Sequence, residues 1–363
     1  MSSALTVYSR SAPNRRGPQR GLTLVELMVA LVVSLVLILA ATTLYLHTRA
    51  AQKATDERAQ VFDTAHLVLN ILGKELNKAG FYPRGAFEPL LSPTEADNTN
   101  VPYDYEAVIA RMAGPAVPAG LAHGIFGCDG KKVANGYASC GTAATGASGS
   151  DALLVSYFTN DAFSLDVGDR ADCQRHDVAN DPTYNQTRYA AAPAAGAAAV
   201  EPVSIGTQPL APLLVINRFY LEQEKYVTEG GETVTTRGLR CVGNGQSASP
   251  AGSSLVVGVE QMGLRYGVAD DADGAPKRFL TADEVSALPV TVIGEVNVSG
   301  WQRVVAVEVC VLARSFSKTD LSSAGVTVQD CNGGNLTTDT GVVVRKMVQV
   351  FGLKNRAALV GGL

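Results

Sequence analysis

Between Leu27 and Thr48 the chain carries no formally charged residue, and nearly every side chain in that run is aliphatic. About 20 residues at roughly 1.5 Å per residue cross the hydrocarbon layer of a bilayer. A backbone in that layer must satisfy its own hydrogen bonds, so the run is expected to form a membrane-spanning helix. Glu26 stands at its entrance as the one carboxylate of an otherwise apolar helix. A charge placed there costs several kcal/mol unless a cation meets it, so Glu26 is read as a functional site whose partner has to come from elsewhere. No cation lies in its own segment.

The flanks orient the span. Arg10, Arg15, Arg16 and Arg20 precede Gly21 with no acidic residue among them, which holds the N-terminus in the cytoplasm and sends the rest outward. A cleaved secretory signal is the alternative. Its apolar core is shorter, and Thr48-Arg49-Ala50 makes a poor small-x-small cleavage site.

Arg20-Gly21-Leu22-Thr23-Leu24-Val25-Glu26-Leu27 resembles the class III leader junction of type IV pilins and type II secretion pseudopilins. The resemblance implies cleavage after Gly21 by a prepilin peptidase and methylation of the new N-terminus at Leu22. It also implies that Glu26 pairs with the N-terminal amine of a neighbouring subunit in a filament core. Such a pair gains little net stability after desolvation, but only the correct axial stagger satisfies both charges, so it sets register. Leu22 and Val25 stand where Phe and Ile are commoner in that family.

Removing the leader's four arginines takes the net charge from −4 to −8, and nothing in that balance points to nucleic acid. All six cysteines, Cys128, Cys140, Cys173, Cys241, Cys310 and Cys331, fall in the part that this topology places outside the cytoplasm. An even count in an oxidising compartment favours disulfides. Many connectivities are possible; pairing of sequence neighbours closes the shortest loops. A metal site has one thread, Cys173-Gln174-Arg175-His176, without a second ligand cluster.

The chain divides into a leader (1–21), a membrane or filament-core half-helix (22–48), an amphipathic half-helix (49–80), an irregular region (81–150) and a β-rich head (151–363). Val61, Ala65, Val68, Leu72, Leu76 and Ala79 recur at three- and four-residue steps and mark one apolar face, which Gly80 and Pro83 end. Pro89, Pro93, Pro102, Pro115 and Pro118 make the next region irregular, and 190–200 is an alanine-rich insert. Strands are expected over 151–159, 213–222, 233–242, 254–268, 301–315 and 341–353. The fold class is therefore α+β, one long N-terminal helix packed on an antiparallel sheet head with irregular loop insertions.

Several segments, in order, are similar to the PilW family of minor pilins. They are Leu76-Asn-Lys-Ala-Gly80-Phe-Tyr, the run Leu255 to Gly267, Trp301 to Ser315, and Lys346 to Arg356. The resemblance implies a low-abundance, non-enzymatic subunit that primes or tips a type IV pilus. Its implied partners are other minor pilins, the major pilin, the prepilin peptidase and the inner-membrane assembly platform. Its implied place is a single-pass inner-membrane anchor with a periplasmic head, then the pilus. A type II secretion pseudopilin is one alternative. The other is a tip adhesin or DNA-uptake subunit whose binding loops are 84–150 and 190–200.

Other constellations carry less. Asp270-Asp271-Ala272-Asp273-Gly274 resembles the start of a calcium loop, with Asp271 and Asp273 as ligands, but lacks the closing Glu; a turn is the simpler account, and no cofactor is expected. Gly146-Ala147-Ser148 lacks the strand-turn-helix setting of a nucleophile elbow. His123 and His176 have no catalytic partner at a recognisable spacing, and Lys346, Lys354 and Arg356 read as a solvated basic rim.

Overall fold

The computed structural model describes residues 21, 23–81, 123–133, 140–141, 149–158, 171–176, 178, 204–205, 208–209, 214–228, 231, 233–245, 252–271, 273–293, 296–316, 325 and 327–356. The chain separates into two units, 1–52 and 53–363. The first holds the apolar start of helix α1 (Leu24–Lys78), every described side chain of which is exposed up to Arg49. Its Ser34, Thr42, Thr43 and Thr48 hydroxyls return hydrogen bonds to carbonyls three or four residues back, so none needs an outside partner.

In the second unit α1 becomes amphipathic, and Val61, Ala65, Val68, Leu69, Leu72 and Leu76 lie at the centre of the core. Gly73, an unfavourable helix residue by about 1 kcal/mol, is explained by contact: a Cβ there would strike the Phe351 ring. The helix ends at Gly80 in the left-handed region (φ 67°), whose N–H bonds the Ser156 carbonyl at 3.0 Å. Asn355 Nδ2 donates to the carbonyls of Asn77 and Ala79, both at 3.2 Å, capping the helix from the far end of the chain.

The strands are β1 (Ile125–Cys128), β2 (Ala152–Phe158), β3 (Ser204–Ile205), β4 (Gln208–Pro209), β5 (Leu214–Val227), β6 (Thr233–Val242), β7 (Ser253–Val257), β8 (Val259–Val268), β9 (Arg278–Leu280), β10 (Thr291–Ile293), β11 (Val296–Val298), β12 (Val304–Arg314), β13 (Thr327–Gln329), β14 (Asn335–Thr337) and β15 (Val344–Gly352). A short helix α2 (Ala282–Ser286) follows β9 and has a full capping box from Thr281 and Glu284. Where one sheet is expected from the sequence, the described strands build two larger sheets beside three two-stranded hairpins. One has the order β1-β2-β5-β6-β7 and the other β15-β12-β8-β9, with every pair antiparallel. The division falls at Gly258, whose φ of 87° breaks the run 254–268 into β7 and β8.

β1 lies inside the stretch read as irregular, and the sequence reading omits β3, β4, β9, β10, β11, β13 and β14. All are four residues or shorter, too brief to show a period against their turn-rich surroundings. The small hairpins cover satellite clusters on the second sheet: β10 and β11 bring Ile293 and Val298 onto Val305, and β13 brings Val328 onto Leu312, Val342 and Val344. Glu260 joins the two sheets, accepting from Arg237 on β6 at 2.9 Å and Arg314 on β12 at 3.1 Å. The C-terminal turn is pinned by fully buried Arg356, whose guanidinium donates to the carbonyls of His123 and Trp301.

At the heart of the head, Tyr266 is fully buried, edge-on to Trp301 with ring centroids 4.9 Å apart, and its hydroxyl occupies the space where a Cβ on Gly127 would stand. Among the described residues that hydroxyl has no hydrogen-bond partner. Gly127→Ala is expected to destabilise the head by about 1–3 kcal/mol through overpacking. In a Tyr266→Phe background the same change costs about 1 kcal/mol less, because the clashing oxygen is gone; urea denaturation of the four variants, analysed as a double-mutant cycle, measures the coupling.

Candidate functional site

The start of α1 is organised by a local sequence device. Thr23 occupies the N-cap position: its Oγ1 accepts the Glu26 N–H at 3.2 Å, and the Glu26 carboxylate accepts the Thr23 N–H at 3.0 Å. The Thr23 hydroxyl also donates to the same carboxylate oxygen, Oε2, at 3.1 Å. This is a capping box of the form Thr-x-x-Glu, which satisfies two N-terminal N–H groups reciprocally. A negative charge in the first turn also suits the positive end of the helix dipole.

The Glu26 carboxylate therefore has a neutral hydrogen-bond partner in its own segment, while among the described residues no cation faces it. Thr23 is the residue that sequence reasoning overlooks here, and the Thr-x-x-Glu spacing before an apolar run is the signal that finds it. Both bonds from Thr23 to the carboxylate end on Oε2. Gly21 lies outside the helix and exposed, with nothing within 4 Å of a Cβ built on it. Leu22 lies outside the described residues. At the other border of the apolar run, the Arg49 guanidinium sits 5.2 Å from the Tyr45 ring centroid.

In the head, Cys128 pairs with Cys140, Cys173 with Cys241 and Cys310 with Cys331, each a neighbour in sequence. Cys173 is thereby taken out of the thread Cys173-Gln-Arg-His176. Asp172 organises that loop instead, its carboxylate accepting the N–H groups of Gln174, His176 and Gly245. The Asp271 and Asp273 carboxylates face the Lys277 ammonium at 3.2 and 2.6 Å, and Asp270 faces Arg278 and Arg303, so side-chain cations stand where a metal would be held. Among the described residues no group of three or more His, Cys, Asp or Glu side chains is arranged for a metal ion. Most of 84–150 and all of 190–200 lie outside the described residues.

The acidic pair Asp129 and Asp151 lines a cavity of about 290 Å³ with Arg265, Thr281, Glu308 and Asn332. Both carboxylates are held by backbone N–H groups. Asp129 accepts from Ala282 and Asp283 at the start of α2, and Asp151 from Gly130 at 2.9 Å and Leu264 at 2.7 Å. These bonds tie the end of β1 to α2 and the start of β2 to β8, a structural use. Burial pushes the Asp151 carboxyl up to about 6; the two N–H bonds oppose that rise, and the charges of Asp129 and Asp283 add to it.

Residues 224–355 match the family described as Type IV Pilus-assembly protein W, and residues 16–42 match the Prokaryotic N-terminal methylation motif. The first match runs from the last four residues of β5 through the whole second sheet. A solved structure with some likeness is a type IV-like pilin from Thermus thermophilus. It is 10% identical, with a TM-score of 0.25 over 57% of this chain and 80% of that one. No curated protein matches the chain.

Two outcomes follow from these geometries. Thr23→Val removes the hydroxyl at constant shape and should cost the helix start about 1 kcal/mol. Amide exchange over Leu24–Leu27, followed by mass spectrometry in detergent, is then about fivefold faster than in wild type, whereas Thr23→Ser keeps wild-type protection. The folded Asp151 carboxyl holds its proton to higher pH than the unfolded one, so its stabilising contribution is complete below about 4 and is lost as pH rises through about 6. Wild type should lose about 3 kcal/mol relative to Asp151→Asn between pH 3 and 7, read from urea midpoints.

Proposed function

The chain is a type IV pilin-like protein, a PilW domain behind a prepilin-type methylation motif, and from that premise we propose that it is a minor pilin that helps to initiate or tip a pilus. In this reading a prepilin peptidase removes residues 1–21 on the cytoplasmic side and methylates Leu22. The span then holds the subunit in the inner membrane, with its head in the periplasm, until the assembly platform extracts it. Its partners are other minor pilins and the major pilin, and it turns over no substrate.

The observation that carries the proposal is the junction itself: an exposed, non-helical Gly21, a capped helix start at Thr23, and Glu26 ahead of a charge-free apolar run. Moving that helix from lipid to a filament core exchanges one apolar environment for another, so hydrophobic transfer is close to neutral and polar contacts set the outcome. A methylated amine on one subunit and the Glu26 carboxylate on the next supply such a contact. Pairing requires desolvating both charges, which is tolerable only when they meet, and that makes the pair selective for one axial offset. The capping box is compatible with this role because Thr23 remains in the mature chain and its bonds are made to Oε2.

Gly21→Ser is expected to leave a precursor larger by the leader, visible on immunoblots of membranes; normally sized protein starting at Leu22 would contradict the leader assignment. Glu26→Ala should be cleaved and inserted normally yet be depleted at least tenfold from sheared fibres. Unchanged recovery in those fibres would remove the register role.

A further inference from the structure

We propose that β15 is a docking edge, to which an extended segment of a different filament subunit adds as a further strand. β15 ends its sheet, and among the described residues no strand pairs with its outer side. Its register sets which backbone groups face outward. Ala306 lies opposite Gly352, so Val305 lies opposite Leu353, and the Leu353 N–H bonds the Val305 carbonyl at 2.8 Å. In an antiparallel ladder, hydrogen-bonded pairs recur at every second residue. Phe351, Gln349, Met347 and Arg345 therefore direct N–H and C=O toward β12, while Gly352, Val350, Val348 and Lys346 direct theirs away.

The same residues leave apolar side chains uncovered. Val348 and Val350 are 49% and 50% exposed on one face of the strand. The hairpins β10-β11 and β13-β14 pack on Val305 and on Leu312 and Val344, to either side of this stretch, and neither cluster includes these two valines. A strand of nine residues without proline, with outward backbone groups that no described strand pairs and with exposed valines, is the kind of edge that native proteins otherwise blunt or cover. Strand addition to such an edge takes affinity from main-chain hydrogen bonds and specificity from alternate side chains.

Charge and symmetry select the occupant. Arg345, Lys346 and Lys354 are exposed, and among the described residues none has an ion-pair partner, so the incoming strand carries carboxylates beside apolar residues. A second copy pairing β15 with β15 antiparallel would need a two-fold axis normal to the sheet. That axis would set the two Lys53–Lys78 helix segments antiparallel, whereas subunits stacked head to tail in one polar filament all run the same way. The partner is thus a different strand on a neighbouring subunit. This inference rests on the filament-subunit reading.

The test places benzoylphenylalanine at Val348 or Val350 of the full chain in cells that assemble pili, with Gln223 on β5 as an exposed control. Irradiation should give an adduct with another filament subunit, at least tenfold above the control, mapped by mass spectrometry to an extended segment containing Asp or Glu. Val348→Pro removes only an outward N–H, which an edge strand tolerates. It should abolish the Val350→benzoylphenylalanine adduct while the melting temperature of the head stays within about 2 °C of the parent. Adduct yield equal to the control, mapping to a helix or to a second β15, or indifference to Val348→Pro overturns the proposal. Recovery of the unmodified chain in sheared fibres separates the two claims. With recovery but no adduct, the docking edge is wrong and the subunit role stands; an adduct without recovery sustains the edge and removes the subunit role.

Discussion

One helix with two kinds of surface is the constraint from which the rest of the molecule follows. Up to Arg49, α1 is apolar on every side and exposed on every side, and such a surface is stable only against lipid or other helices. From Lys53 the same helix is apolar on one stripe, and the head is the device that buries it. Val61, Val68, Leu69, Leu72 and Leu76, at about 1.5–3 kcal/mol each, contribute on the order of 10 kcal/mol as an upper estimate. Contacts reach the helix from both sheets: Phe351 lies against Gly73, while Glu75 accepts from Asn217 at 2.7 Å and Lys78 sits over the Tyr157 ring.

The stripe alone does not specify how the sheets meet it. Directional groups do: Asp151 between β2 and β8, Glu260 between β6 and β12, Asn355 on the last carbonyls of α1, and Arg356 on two carbonyls far apart in sequence. Two disulfides reach into the core, where Cys128 and Cys241 are fully buried. Cys310–Cys331 fastens the loop beside β13 and β14 to the second sheet, and a side chain on Gly263 would collide with Cys331. The head is thus closed by polar contacts between elements whose apolar surfaces would tolerate more than one arrangement. At the membrane end the same logic applies, with a carboxylate whose local cap leaves it oriented at the start of the helix.

Long elements declare themselves through their periodicity. All six residues of the predicted stripe, Val61 to Ala79, are buried, and β2, β6 and β12 lie within the expected runs. The site is legible only in part. The junction around Gly21 and Glu26 stands out through charge and composition, while the bond between Thr23 and Glu26 is written in a four-residue spacing that is easily passed over. β1 is hidden because Ile125–Cys128 is four residues among glycines, and its assignment depends on pairing with β2 rather than on its own pattern.

By itself, the sequence determined a long apolar helix start, an amphipathic continuation and a β-rich head with an even set of cysteines, because these depend on local period, charge and composition. Tertiary structure decided that the strands divide into two sheets and that Gly127 makes room for Tyr266. It also decided that Asp271 and Asp273 face Lys277 and that β15 is the last of the described strands on its side of the sheet. Each of those depends on which distant segments meet, and no residue pattern within a single element records the identity of its neighbour.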